Sequence, residues 1–406
     1  MKILHVAAVA RSKLASGVLV FIDNVVRAVR RPRRSIESSQ ERRRYLFFQY
    51  ERALGSAINA TPIFEALKSA DPRCFLAVAC TRPSYEILLH SPFIDHIFLT
   101  ASPHFNFFGA VRNIWNAVSG QYFNFVVTGA ANSSGRFSAL AVLSGIECRI
   151  GFTPFSGLYE RTVIYDADKS VIENNLAILP LLGYQEQQHF EPRVFFTKED
   201  LSIAEVMLKN CELIAGQPII AIVSQTSGGQ PTKWYDDRFA RVADSLAADG
   251  YRIIFLGTEN ERTAIDTIRS QMRLPSASLA GNTSVRVLAA ILCRCDLVIT
   301  LDTGPMHVGR AVQVPMIVSA AAWQPAHEWL PLSCDRVEIL RKECMDEISD
   351  IDVIRGAERL LGAYPAMESQ RIARISRCLV TEKKFGDRPP IQSGISTQNE
   401  YSMRSL

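Results

Sequence analysis

The sequence predicts an α/β protein made of two doubly wound, Rossmann-like domains facing a cleft. Three observations carry that prediction. From Arg44 onward, short apolar runs alternate with helical patterns, and the alternation restarts after Ala215-Gly216-Gln217-Pro218. At 406 residues the chain is too long for one small core, so two domains are the natural division. Residues 296–322, DLVITLDTGPMHVGRAVQVPMIVSAAA, spell a βαβ unit: an apolar run Leu297–Thr300, a polar turn, a helical segment, then Val314–Ser319.

The first domain runs over 45–216. Tyr45–Tyr50, Phe75–Ala79, Ile94–Leu99, Phe123–Thr128 and Arg149–Phe152 read as strands. Helical patterns lie between them at 61–69, 84–90, 107–118 and 136–144. Pro62 suits a first helical turn, with Thr61 as its N-cap. Residues 171–182 read as a helix that Pro180 should kink or end, and an amphipathic segment follows at 199–209.

The second domain, 217–380, repeats the order. Ile219–Ser224 is a strand followed by the polar loop SQTSGGQPTKW. In the helix 236–248, Phe239, Val242, Ala243 and Leu246 share one face. Strand Arg252–Leu256 and a helix over 260–271 come next. Val285, Leu288, Ala289 and Leu292 then repeat the helical spacing ahead of Leu297. The polar tail 381–406, with Pro389-Pro390, predicts disorder.

Composition narrows the class. Hydrophobic residues make up 48% of the chain and charged residues 21%, which is globular, and the net charge is +4. The nine cysteines are scattered without a CxxC pair, which argues for reduced thiols and against a zinc site. Cys293 and Cys295 fall in a predicted helix, where two side chains that far apart diverge. Residues 1–44 form a separate basic and apolar extension. Its run 14–29 is too short to span a bilayer, and the charge follows the apolar core, the reverse of a signal peptide. Two readings remain for it: an interfacial helix whose arginines contact anionic membrane, or a solvated extension. The arginines are not interleaved with stacking aromatics, so no nucleic-acid partner is expected.

Three strand-to-helix turns carry candidate chemistry. In the first, Thr226, Ser227 and the glycines after them can hold phosphate oxygens while Lys233 supplies a positive charge. A flexible surface loop would have the same composition, and neither GxGxxG nor GxxxxGK[ST] is present. In the second, Glu259 can accept from ribose hydroxyls, while Thr258 and Glu261 fit a capping box. In the third, Asp302, Thr303 and Gly304 aim backbone N–H groups at an anion where the helix dipole favours one, with His307 one turn on. A capping aspartate and a core histidine would look the same.

Together these pieces resemble glycosyltransferase family 9, the bacterial ADP-heptose:lipopolysaccharide heptosyltransferases, over about residues 44–335 and most closely over 218–322. LVITLDTGPMHVGRAVQVP resembles the family's donor-phosphate segment, and TSGGQPTKWYDDRFARVADSL its lysine–tryptophan region. Ala53-Leu54-Gly55-Ser56-Ala57-Ile58 with Thr61-Pro62 is similar to its N-terminal A-L-G-D segment. The resemblance implies a GT-B fold and an inverting, metal-independent transfer. It also implies an ADP-heptose-like donor held by the second domain, a lipopolysaccharide-type acceptor, and a place at the cytoplasmic face of the inner membrane. It implies no cofactor. One position departs: the family's general base, an aspartate, is Ser56 here, and serine cannot take a proton at neutral pH without a base of its own. Glu51 is the nearest carboxylate and the candidate substitute. The competing readings are a silent GT-B protein that binds a nucleotide sugar without transfer, and a GT-B enzyme using a UDP-hexose.

Overall fold

The computed structural model describes residues 17–22, 24, 42–51, 53–155, 157–185, 190–211, 217–226, 233–322, 326–331, 334–365 and 367–380. Most of the N-terminal extension, Ser227 and the tail 381–406 lie outside the described residues. Two units form. One holds the described residues up to Glu51 together with those of Asn59–Phe190, and the other holds Ala53–Ile58 and the described residues from Glu191 to Val380.

The first unit is built on a six-stranded parallel sheet: β1 Arg44–Gln49, β2 Phe75–Cys80, β3 His96–Leu99, β4 Phe125–Thr128, β5 Cys148–Gly151 and β6 Arg161–Thr162. Their order is β3-β2-β1-β4-β5-β6. The chain winds outward one way from β1 and then the other way from β4, which makes the β1/β4 seam the topological switch point. That seam is in register from Tyr45↔Phe125 to Phe48↔Thr128. Leu46, Phe48, Tyr50 and Val126 pack one face of the sheet against Ala110, Ile114, Phe137 and Leu140 of the covering helices.

The second unit repeats the design with β7 Ile219–Val223, β8 Arg252–Phe255, β9 Ala277–Ser278, β10 Leu297–Leu301, β11 Met316–Ala321 and β12 Val337–Lys342. The order β12-β11-β10-β7-β8-β9 is parallel throughout and places its switch point between β7 and β10. Strands IIAIV and LVITL are buried along their whole length, which is why they read as continuous apolar runs and not as alternating ones.

Several expectations shift. The units divide at Glu191, well before Ala215-Gly216-Gln217-Pro218. The cause is the helix Lys198–Asn210, closed by a Thr197–Asp200 capping box, whose Asp200 pairs with Arg286 at 3.3 Å. Phe196 also donates its backbone N–H to Cys378 O, at 3.1 Å. The helical pattern 171–182 splits into Val171–Leu176 and Ile178–Leu181, because Pro180 has no N–H to donate to the carbonyl of Leu176 four residues back. Thr61 has helical backbone angles and makes no capping bond with its side chain, although Pro62 does open the helix Pro62–Ala70. Strands β6, β9 and β12 and the helices Leu54–Asn59, Asp350–Ala363 and Glu368–Cys378 are additional to the predicted elements.

Candidate active-site residues

Each unit presents a polar group at its switch point. In the first unit, the chain leaving β1 delivers Glu51, and the turn after β4 delivers Asn132. Both are buried. Asn132 Nδ2 donates to Glu51 Oε1 at 2.7 Å, and Asn132 Oδ1 accepts the backbone N–H of Tyr50 at 3.1 Å. Glu51 Oε2 is buried with no hydrogen-bond partner. Burial pushes the Glu51 carboxyl up to about 8, against the opposing pull of its own backbone N–H and of Asn132. A carboxyl with one anchored oxygen and one partnerless oxygen, titrating near neutrality, has the form of a proton acceptor.

In the second unit, Ser224 is buried at the end of β7 and Thr226 is half-buried two residues later. Lys233 is exposed and stands directly before Trp234. Trp234 is fully buried, donates Nε1–H to Ile348 O at 3.0 Å, and meets Phe239 edge-on at a 4.8 Å ring separation. That anchor fixes the backbone from which the lysine projects. Beside β7, strand β10 leads into Asp302 and Thr303, both buried, and the helix Gly304–Val312 follows with Pro305 in its first turn. Thr303 is extended at the N-cap, yet its hydroxyl makes no cap bond, and Oγ1 is buried without a partner. A helix N-terminus with a partnerless hydroxyl beside it can bind an anion.

His307 lies in the first turns of that helix, buried, with Nδ1 lacking a partner. Burial, and secondarily Arg310, hold its pKa down to about 3, so the imidazole is neutral at physiological pH. The helix Leu54–Asn59 brings the A-L-G-S segment to this place: a Cβ on Gly55 would stand 2.3 Å from His307 Cδ2 and 2.5 Å from Nε2. A Cβ on Gly304 would likewise stand 3.0 Å from Leu54 Cδ2. Two segments that are far apart in the chain are therefore packed without a spare methyl, and Ser56, half-buried, follows the contact directly. Gly55→Ala should lower stability by about 1–3 kcal/mol in urea unfolding, because the imidazole must leave its rotamer. Adding His307→Ala should restore most of the loss. A neutral single variant would show that the contact is loose.

Glu259 behaves otherwise. It is exposed and paired with Arg262 at 2.9 Å, while Glu261 Oε2 accepts the Thr258 N–H at 2.7 Å in the expected capping role. A ribose would have to share Glu259 with that arginine. Asn132 is a member of the first unit's polar pair that sequence patterns did not pick out, although Gly129-Ala130-Ala131-Asn132 after an apolar strand parallels the Asp302 turn. Among the described residues no group of three or more His, Cys, Asp or Glu is placed to hold a metal ion.

The model of glycosyltransferase family 9 (heptosyltransferase) matches residues 111–334. Over 294 residues the chain is 23% identical to lipopolysaccharide heptosyltransferase 3 of Escherichia coli K12, covering 67% of this chain and 82% of that protein. Lipooligosaccharide heptosyltransferase 2 of Haemophilus influenzae is 26% identical over 154 residues. That match covers 36% of this chain and 44% of the relative's length. Among solved structures, the family 9 glycosyltransferase of Veillonella parvula superposes with a TM-score of 0.72 at 21% identity, covering 80% of this chain and 98% of that one. Likenesses of this kind show a two-domain GT-B fold.

Proposed function

The chain belongs to glycosyltransferase family 9, and from that premise we propose that it transfers a heptose, or a related sugar, from an ADP-linked donor to a lipopolysaccharide-type acceptor. The observation that carries the reading is the β7/β10 switch point, where the N-terminus of the helix Gly304–Val312 and the partnerless Thr303 hydroxyl stand at the end of β10, the strand paired with β7. Diphosphate is the anion such a place suits.

In the proposed reaction the acceptor hydroxyl attacks the anomeric carbon from the face opposite the leaving group, so the product is inverted. The new C–O bond takes its electrons from that hydroxyl. Its proton passes to Glu51 Oε2, and the pair of the breaking bond leaves on the diphosphate. Asp302, Thr303, Gly304 and Thr226 hold the donor, and Lys233 balances the developing charge without a metal. His307 stays neutral and packs the turn. Glu259 receives the ribose, and Ser56 takes a hydrogen-bonding place beside the acceptor. An acceptor carried in lipid puts the enzyme at the cytoplasmic face of a membrane, with residues 1–44 as one contact.

Ser56 favours a second reading, a protein that binds the nucleotide sugar without transferring it. One series of measurements separates the readings. ADP-heptose, ADP, UDP-glucose and UDP-galactose are tested by thermal shift, and each stabilising sugar is then incubated with truncated lipopolysaccharide. The expected result is stabilisation of about 2.7 kcal/mol by ADP-heptose at a hundredfold excess over Kd, followed by release of ADP and a heptosylated product. Stabilisation without product would establish the silent binder. A response confined to UDP-sugars would replace the donor.

A further inference from the structure

We propose that the outward face of the helix Phe107–Ser119, together with Phe105, docks the first unit onto the surface of an anionic lipid bilayer. The inference rests on the reading of a lipid-borne acceptor and names the surface that meets the membrane.

Phe105 is 76% exposed, Phe108 85% and Trp115 50%. Positions 108, 112 and 115 form one stripe of the helix, opposite the buried Ala110, Ile114, Ala117 and Val118. These aromatics are held outward by local structure. Asn106 caps the helix by accepting the Gly109 N–H at 2.8 Å, which fixes the turn between Phe105 and Phe108. Trp115 donates its indole N–H to Leu143 O, so one edge of the ring is tied down while the rest stays in water. The helical residues 17–22 add to this surface: Leu19 and Ile22 pack against the core that Phe107–Ser119 covers, while Val18 and Phe21 point out.

Charge identifies the occupant. Between Asp95 and Glu147 the chain has no aspartate or glutamate. Its cations there are Arg112, exposed on the same stripe, and Arg136, exposed with its guanidinium on His104 O at 3.0 Å. A second copy of this face would set Arg112 and Arg136 against their own copies, with no acid in the segment 96–146 to answer them. A bilayer of anionic lipid supplies phosphates for the arginines and an acyl boundary for the rings, the arrangement that interfacial Trp and Phe favour. Among the described residues no helix is long and apolar enough to cross a membrane, so this contact is peripheral.

The test is co-sedimentation of the full chain with phosphatidylcholine vesicles, with and without phosphatidylglycerol. The wild type should sediment with the anionic vesicles and much less with the neutral ones. Phe105→Ser/Phe108→Ser and, separately, Phe108→Asp should lower partitioning about tenfold or more, with the melting temperature and the response to ADP-sugars unchanged. Ile203→Ser/Val206→Ser, which alters exposed apolar residues of the second unit, should bind as the wild type does. If the Phe variants bind fully while removal of residues 1–41 abolishes sedimentation, this face is not the docking surface and the lipid reading survives. If the wild type binds no vesicle, the lipid reading fails as well. If the Phe variants turn a wild-type dimer into a monomer without changing sedimentation, the face joins copies of the chain and the proposal is overturned.

Discussion

Glu51→Gln should reduce transfer by about 100- to 10,000-fold, the range a general base contributes, while ADP-sugar affinity stays within about twofold. The substitution is informative because glutamine imitates the protonated acid. Its Oε1 can still accept from Asn132, and its amide occupies the volume of the partnerless Oε2. The side chain keeps its volume and its bond to Asn132, so a drop in rate can be assigned to the proton. The pH dependence follows from the same carboxyl. Titrating at about 8, Glu51 is mostly protonated at pH 7, so kcat/KM should rise with pH through about 8 and level above it.

Stability should move the other way. Glu51 ionises near 4.5 in the unfolded chain and near 8 in the fold, so raising pH across that window favours the unfolded state. The Gln variant should lack that loss, becoming relatively more stable above pH 8. A flat rate profile, or full activity in the Gln variant, would send the proton elsewhere and return attention to Ser56.

The parallel strands were the most legible part of the sequence because they are buried on both faces. IIAIV and LVITL stand out as unbroken apolar runs whatever helix covers them. The two-residue strands β6 and β9 leave no pattern to detect, and β12 carries Glu338, Arg341 and Lys342 as the edge strand of its sheet. The helix Leu54–Asn59 escapes periodicity for a different reason: Gly55 is present for a close approach to His307, at a cost in helix propensity. In the candidate site, the Asp302-Thr303-Gly304 turn was legible because it is local to the end of β10. The Glu51–Asn132 pair was only half legible, since it depends on β1 and β4 lying side by side, a long-range pairing that one sequence does not display. For Glu259, local rules described the cap well, while the competing Arg262 ion pair shows only in three dimensions.

Lys233→Ala should slow turnover by at least about a hundredfold, or about 3 kcal/mol, the worth of one stabilising donor aimed at developing charge. An exposed lysine on an ordinary surface is worth almost nothing, and the two cases predict results two orders of magnitude apart. What moves Lys233 toward the first case is its neighbour. Trp234 is locked by Ile348 O and Phe239, so the ammonium swings from a fixed pivot. A charge that acts mainly on the departing diphosphate should lower kcat and kcat/KM together, with ADP-heptose affinity falling far less. The melting temperature should hold, because the exposed side chain supports nothing in the core. Lys233→Arg should retain part of the rate, since it keeps the charge but not the compact point donor. A loss below tenfold on alanine substitution would class Lys233 with the solvated face, and the backbone amides at Thr303 and Gly304 would then carry the leaving-group charge alone.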